Sequence, residues 1–175
     1  MNWHDFFTYD ADTGNLIWKH RDLCSFANER MGKVWNTRFA GKVAGGMSGN
    51  GYLNIVVNGL RCPVARVVWE MHKGALAKGE YVDHVNGSKT INRIDNLRKC
   101  SNTENCRNSR RPKNNTSGFK GVTRAMDGGK PGKWIAQITV DRNHIHLGRF
   151  DTPEKAHDAY CEAALLHHGQ FARTA

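Results

Sequence analysis

Val82-Asp83-His84-Val85-Asn86-Gly87-Ser88-Lys89-Thr90-Ile91-Asn92-Arg93-Ile94-Asp95-Asn96-Leu97-Arg98, running on through Lys99-Cys100 to Ser101-Asn102-Thr103-Glu104-Asn105, is the stretch whose reading decides the fold. Residues 81–85 read as one strand, 86–89 as a turn-prone segment, and 96–100 as the return strand. Ser101 followed three residues later by Glu104 has the spacing of a capping box, so a helix begins there and carries Asn105. The order is strand, loop, strand, helix, with Asp83, His84, Asn96 and Asn105 distributed along it.

Those residue types suit phosphodiester hydrolysis. The reaction needs a base for water, a cation against the charge growing on phosphate and leaving oxygen, and a means of holding both in line. Histidine, with an ordinary pKa near 6.5, accepts a proton near neutrality. Asp carboxylate and Asn amide oxygens are hard ligands of the kind Mg²⁺ takes beside water and phosphate oxygens. Neighbouring strand residues point to opposite sides, so Asp83 and His84 meet at one centre only on a twisted strand or around a wrapped edge. The competing reading is that these Asn and Asp residues only build turns and caps.

The whole ordered set resembles the HNH endonucleases of the phage homing type, which fold as a ββα-metal motif. The resemblance covers about 30 residues in register, and the 64–74 segment upstream resembles the one that usually precedes the motif. It implies that Asp83 and Asn105 bind the divalent metal, that His84 is the general base, and that Asn96 holds the loop and the histidine. Mg²⁺ is the expected ion, with Mn²⁺ able to substitute. Cys100 and Cys106 lack paired C-x₂₋₄-C knuckles, so zinc is not expected and both are read as buried thiols.

Outward from this stretch, 52–57 and 60–64 are strand-like runs joined by Asn58-Gly59, the dipeptide best suited to a type I′ turn. Val64, Val67, Val68 and Met71 then recur at helical spacing until Gly74. Asp12-Thr13-Gly14 reads as a turn leading into a strand, whereas 20–50 carries no decisive pattern. Toward the C-terminus, Trp134, Ala136, Ile138 and Val140 alternate with Lys133, Ile135, Gln137 and Thr139, a strand apolar on one face. Thr152 supplies an N-cap with Pro153 behind it, and Ala156, Ala159, Tyr160, Ala163 and Leu166 are the expected buried stripe of a helix ended by Gly169. His167 and His168, at its end, are read as solvated near the negative end of the helix dipole.

Gly118-Phe119-Lys120-Gly121-Val122, Lys133-Trp134-Ile135-Ala136, His146-Leu147-Gly148-Arg149-Phe150, Ala156-His157-Asp158-Ala159-Tyr160 and His168-Gly169-Gln170-Phe171-Ala172 resemble the apetala/ethylene-response-factor type of DNA-binding domain. That family lays a three-stranded sheet into the major groove. By position, the resemblance implies DNA contacts at or near Lys120, Thr123, Arg124, Gln137, Thr139, His144 and His146. Gln137 stands where plant members have an acid, Thr139 and His144 where they have arginines, and His146 where they have tryptophan, so the plant target sequence does not carry over. Lys133 lies on the same polar sheet face.

The chain has 175 residues with 26 Lys+Arg against 16 Asp+Glu, a formal net charge of +10. Residues 83–113 hold 8 basic and 3 acidic residues, half of the excess. Arg98, Arg107, Arg110, Arg111 and Lys113 are the expected phosphate contacts there, with 107–117 a polar basic linker. The expected organisation is a nuclease domain at 1–106, the linker, and a DNA-binding domain at 118–175, an α+β fold ending in a three-stranded antiparallel sheet on one helix. No apolar run reaches the 18 or so residues of a membrane span, and the N-terminus lacks a secretory pattern. Five scattered cysteines do not make a disulfide framework, so the expected location is cytoplasmic, the host cytoplasm if the gene is a phage's. The expected partner is double-stranded DNA, with no membrane and no small-molecule cofactor, acting as a monomer. The expected activity is a metal-dependent endonuclease cutting where the C-terminal domain directs. The alternative is a non-cleaving, sequence-specific regulator with a degenerate nuclease unit; an RNA-binding or membrane-surface role lacks stacking aromatics in a recognisable module and an amphipathic basic helix.

Overall fold

A short 3₁₀ turn at Trp3–Asp5 leads into strand β1 (Phe7–Tyr9), which pairs antiparallel with β2 (Leu16–Trp18) in a computed structural model that describes residues 1–108, 114–172 and 174. The turn between them is local chemistry. Asp10 accepts hydrogen bonds from the Asp12 N–H and the Thr13 hydroxyl at 3.0 and 2.6 Å, and Gly14 takes φ +76°. A Cβ on Gly14 would lie 2.5 Å from the Arg93 nitrogen, so the turn packs directly on the 92–94 segment.

Helix α1 (Glu29–Phe39) occupies the region whose sequence carried no pattern. Its start is marked by Asn28, which accepts from the Met31 N–H at 2.9 Å. The helix buries Gly32 and Asn36, while Met31, Val34, Trp35 and Phe39, which recur at helical spacing, stay exposed or half-buried. Gly32 is needed for closeness, since a Cβ there would meet Leu23 Cδ2 at 2.8 Å and Phe26 Cδ2 at 2.9 Å. Asn36 bonds both the backbone N–H and C=O of Arg21.

β3 (Val43–Ala44) completes the first sheet, in the order β1-β2-β3. A second sheet has the order β4-β5-β6, made of β4 (Gly46–Met47), β5 (Leu53–Val57) and β6 (Leu60–Pro63). Asn58 and Gly59 take φ of +50° and +79°, both positive as a type I′ turn requires. Helix α2 (Val64–Lys73) follows and stops at Gly74. Val64, Val67 and Val68 are fully buried with Phe7, Leu16 and Val57, and each such side chain contributes about 1.5–3 kcal/mol of burial. Contacts of α2 with β7 (Glu80–His84) place this core directly under the predicted site. β7 pairs antiparallel with β8 (Leu97–Ser101), matching Asp83 with Arg98 and His84 with Leu97.

The chain resolves into two compact units, Met1–Ser101 and Asn102–Ala175. The second opens with helix α3 (Asn102–Arg107) and continues as β9 (Val122–Asp127), β10 (Lys130–Val140) and β11 (Asn143–Phe150), in the order β11-β10-β9. Helix α4 (Pro153–His168) packs on this sheet with Thr152 as its N-cap. Ala136 and Ile138 from β10 meet Ala156, Tyr160, Ala163 and Ala164 from α4. Two expectations fail on α4. Leu166 is 80% exposed, because steps of four from Ala156 and Tyr160 lead to Ala164 and His168 instead. His168 is accordingly buried rather than solvated, and its Nε2 lies 3.2 Å from the Thr139 carbonyl. Among the described residues there are four α-helices and several small antiparallel sheets, and none of the helices is long and apolar enough to cross a membrane.

Candidate active site

Asp83 and His84 close strand β7, and both are buried, at 7% and 4% exposure. Their neighbours differ. Asp83 Oδ2 accepts from both Nε and Nη2 of Arg98, at 2.9 and 2.7 Å, across the β7–β8 ladder. Arg98, an expected phosphate contact, is therefore engaged by a carboxylate and largely buried.

His84 faces Asn92. Its Nε2 lies 3.0 Å from Asn92 Oδ1, and Asn92 Nδ2 donates to the Thr90 carbonyl at 3.3 Å, which fixes the direction of the amide. An amide oxygen only accepts, so the imidazole proton sits on Nε2 and Nδ1 carries the lone pair. Burial pushes the His84 pKa below its ordinary 6.5, against the opposing pulls of the Asn92 bond and the Asp83 charge. The ring is thus held neutral and in one tautomer at neutral pH. The Tyr52 ring packs beside it, with centroids 6.1 Å apart, and burial together with the Asp83 charge raises the Tyr52 pKa.

Asn96 braces the intervening loop from both sides. Its Oδ1 accepts from the Asn86 N–H at 3.1 Å and its Nδ2 donates to the Ile91 carbonyl at 2.8 Å. The N-terminal hairpin supports the same loop: the Tyr9 hydroxyl accepts from the Ile94 N–H, and Arg93 donates to the Asp12 carbonyl. Asn92 and Tyr52 were not singled out from sequence. Asn92 had the spacing of a turn residue, and only its 3% exposure distinguishes it.

Asn105 lies half-buried on α3, in the second unit. Within that unit, Lys120 Nζ donates to the Arg107 carbonyl at the end of α3 at 2.7 Å, and Arg107 pairs with Asp141 at 2.8 Å. Cys100 is buried, but Cys106 is exposed, because it falls on the outer side of this short helix. On the sheet, the register pairs Gln137 with His146 and Thr139 with His144, so these four exposed side chains share one face, and the Thr139 hydroxyl is 3.0 Å from His144 Nδ1. Thr123 lies opposite Ile135 on that same face, and Lys133, exposed there, pairs with Asp151. Arg124 does not join them. It lies opposite Trp134, on the other face, with its guanidinium 5.0 Å from the Trp134 ring. Arg110, Arg111 and Lys113 lie outside the described residues.

Carboxylate and amide oxygens are hard donors of the kind a divalent cation takes, but Asp83 Oδ2 is held by Arg98 and the Asn92 and Asn96 amide oxygens face His84 and the Asn86 N–H, so a cation would compete with those bonds. Among the described residues no three His, Cys, Asp or Glu side chains converge.

Asp83 and the buried His84, bonded to Asn92, thus lie together at the end of the β7–β8 hairpin. Residues 62–107 match the HNH endonuclease family. Protein 3.8 of Escherichia phage T7 is 35% identical over 106 residues, which is 61% of this chain and 84% of that protein. The chain belongs to the same family as that phage protein and carries an HNH endonuclease domain. Ethylene-responsive transcription factor ERN1 of Medicago truncatula is 41% identical over 66 residues, 37% of this chain and 23% of the plant protein. No solved structure matches.

Proposed function

We propose that the protein is a metal-dependent endonuclease that hydrolyses phosphodiester bonds of double-stranded DNA, of the homing type, with His84 as the general base. The observation that carries this reading is the His84–Asn92 bond, which leaves Nδ1 as the proton acceptor in a ring kept neutral by burial. Water attacks phosphorus as its proton passes to Nδ1. The bond to the leaving oxygen breaks and that oxygen takes a proton from solvent water, giving one phosphate and one hydroxyl end. Asn96 keeps the loop closed so that His84 does not drift. The family resemblance assigns a divalent ion, Mg²⁺ with Mn²⁺ as substitute, to Asp83 and Asn105. When bound, that ion offsets the charge developing on phosphate and leaving oxygen.

The sheet of the second unit presents Thr123, Gln137, Thr139, His144 and His146 on one exposed face, and we assign it the reading of the DNA site, an assignment the partial likeness to the plant factor supports. Lys120 and Arg107, with Arg110, Arg111 and Lys113, are assigned to backbone contacts, and the monomer acts in the cytoplasm of the host cell. Arg107, Lys133 and Arg98 keep that assignment only if their carboxylate partners, Asp141, Asp151 and Asp83, yield to phosphate. The test is incubation with duplex DNA. Cleavage with Mg²⁺ or Mn²⁺ that EDTA abolishes is the expected outcome. A footprint on DNA with no cleavage in either metal would favour the non-cleaving regulator.

A further inference from the structure

Residues 80–101 contain four cations, and three are matched to carboxylates: Arg93 to Asp95, Arg98 to Asp83, and Lys99 to Glu80. Lys89 is the exception among the described residues. Its Nζ donates to the Asn50 carbonyl at 2.9 Å and lies 4.6 Å from the centre of the Tyr52 ring. That ring is the one packed beside His84. A carbonyl and an aromatic face hold an ammonium without neutralising it. An ammonium has three N–H donors, and the Asn50 bond uses one.

The holder is itself built. The Ser48 hydroxyl reaches both the Asn50 side chain and the Tyr52 carbonyl, and Gly51 turns the chain at φ +82°. The exposed Lys89 side chain thus reaches over the face of the Tyr52 ring, which in turn packs 6.1 Å from the His84 ring. Ordering such a side chain costs rotamer entropy, and an anion returns that cost.

We propose that Lys89 is a phosphate-binding residue of the active site, its ammonium taking a non-bridging oxygen of the DNA phosphodiester beside His84, with Tyr52 and Asn50 as its platform. The assignment rests on the nuclease reading above and adds a substrate contact to it. Attraction between Lys89 and the phosphate strengthens as charge develops in the transition state, so the effect falls on the rate more than on KM.

The test uses the full chain as wild type, Lys89→Met and Lys89→Arg, with two readouts. One is single-turnover cleavage of duplex DNA. The other is the dependence of DNA affinity on salt, which does not require cleavage. Lys89→Met is expected to slow cleavage by about 10²–10³-fold and to lower the log–log salt slope by about one phosphate contact. Lys89→Arg should restore most of both, and the melting temperature of all three should agree. An unchanged salt slope in Lys89→Met overturns the proposal whatever the rate does. A lowered slope with a wild-type rate moves the contact away from the reacting phosphate and overturns the active-site assignment. A rate loss matched by a fall in melting temperature and not rescued by arginine makes Lys89 a loop staple, which also overturns it. If the wild type itself does not cleave, the nuclease reading fails separately, and the slope still decides whether Lys89 meets phosphate.

Discussion

His84 and Asn92 are the pair on which the chemistry turns. Removing the amide leaves a buried imidazole N–H unpaired, at a cost of about 1–3 kcal/mol, and frees the ring to take the other tautomer. Asn92→Ala is therefore expected to slow cleavage by roughly 10–100-fold, as for other groups that orient a catalytic histidine. DNA affinity should be unchanged, and a fall in affinity matching the fall in rate would show that Asn92 acts on binding instead. Asp83, His84 and Asn96 were legible in the sequence because their spacing is tied to the order of strand, loop and strand. Asn92, Tyr52 and Lys89 were not, because an asparagine in a loop, a tyrosine before a strand and a lysine in a turn have ordinary local roles. The burial of Asn92 and the long-range partners of Tyr52 and Lys89 separate them, and those are tertiary facts.

Elements built on local signals were readable, and those built on close approach were not. The β5–β6 hairpin, α2 and the Thr152-Pro153 start of α4 each announce themselves through a turn dipeptide, a period or a cap. Helix α1 meets its neighbours through Gly32, Asn36 and Trp35, while its apolar Met31 and Val34 stay exposed, so hydrophobic periodicity does not mark its buried face. The N-terminal turn has the same character. Gly14 has a positive φ and leaves no room for a Cβ against Arg93, so Gly14→Ala should lower the melting temperature and slow cleavage together by loosening the loop that holds Asn92. Wild-type values for both would show that the hairpin does not brace the site. On α4, burial, aided by the charges of Arg107, Lys120 and His167, holds the His168 pKa below 6.5, against the Thr139 bond. The unfolded chain then binds the extra proton more readily. Stability is fully present above about pH 6.5 and is lost as the pH falls from there through the lowered folded value. His168→Gln should flatten part of that loss in melting scans between about pH 5 and 8, and an identical pH profile would contradict it.

At the scale of the molecule, composition set the expected linker at 107–117, whereas the compact units divide after Ser101. Helix α3 was legible from its capping box, and Lys120 and Asp141 hold Arg107 at its end from far along the chain. A chain ending at Lys113 loses both partners and the sheet of β9 to β11. It should lose cleavage as well as its footprint, while full-rate cleavage by the truncated chain would show that α3 does not need that sheet. The charge of +10 takes on a more specific meaning in this setting. Of the four basic side chains in residues 80–101, three pair with carboxylates, and Lys89 is the one assigned to phosphate. The most direct test of the central claim is a supercoiled plasmid incubated with Mg²⁺ and either wild type or His84→Ala, with nicked and linear products separated. Wild type should convert the plasmid, and His84→Ala should bind it and leave it supercoiled. Conversion by His84→Ala at the wild-type rate would remove His84 as the base and with it the mechanism.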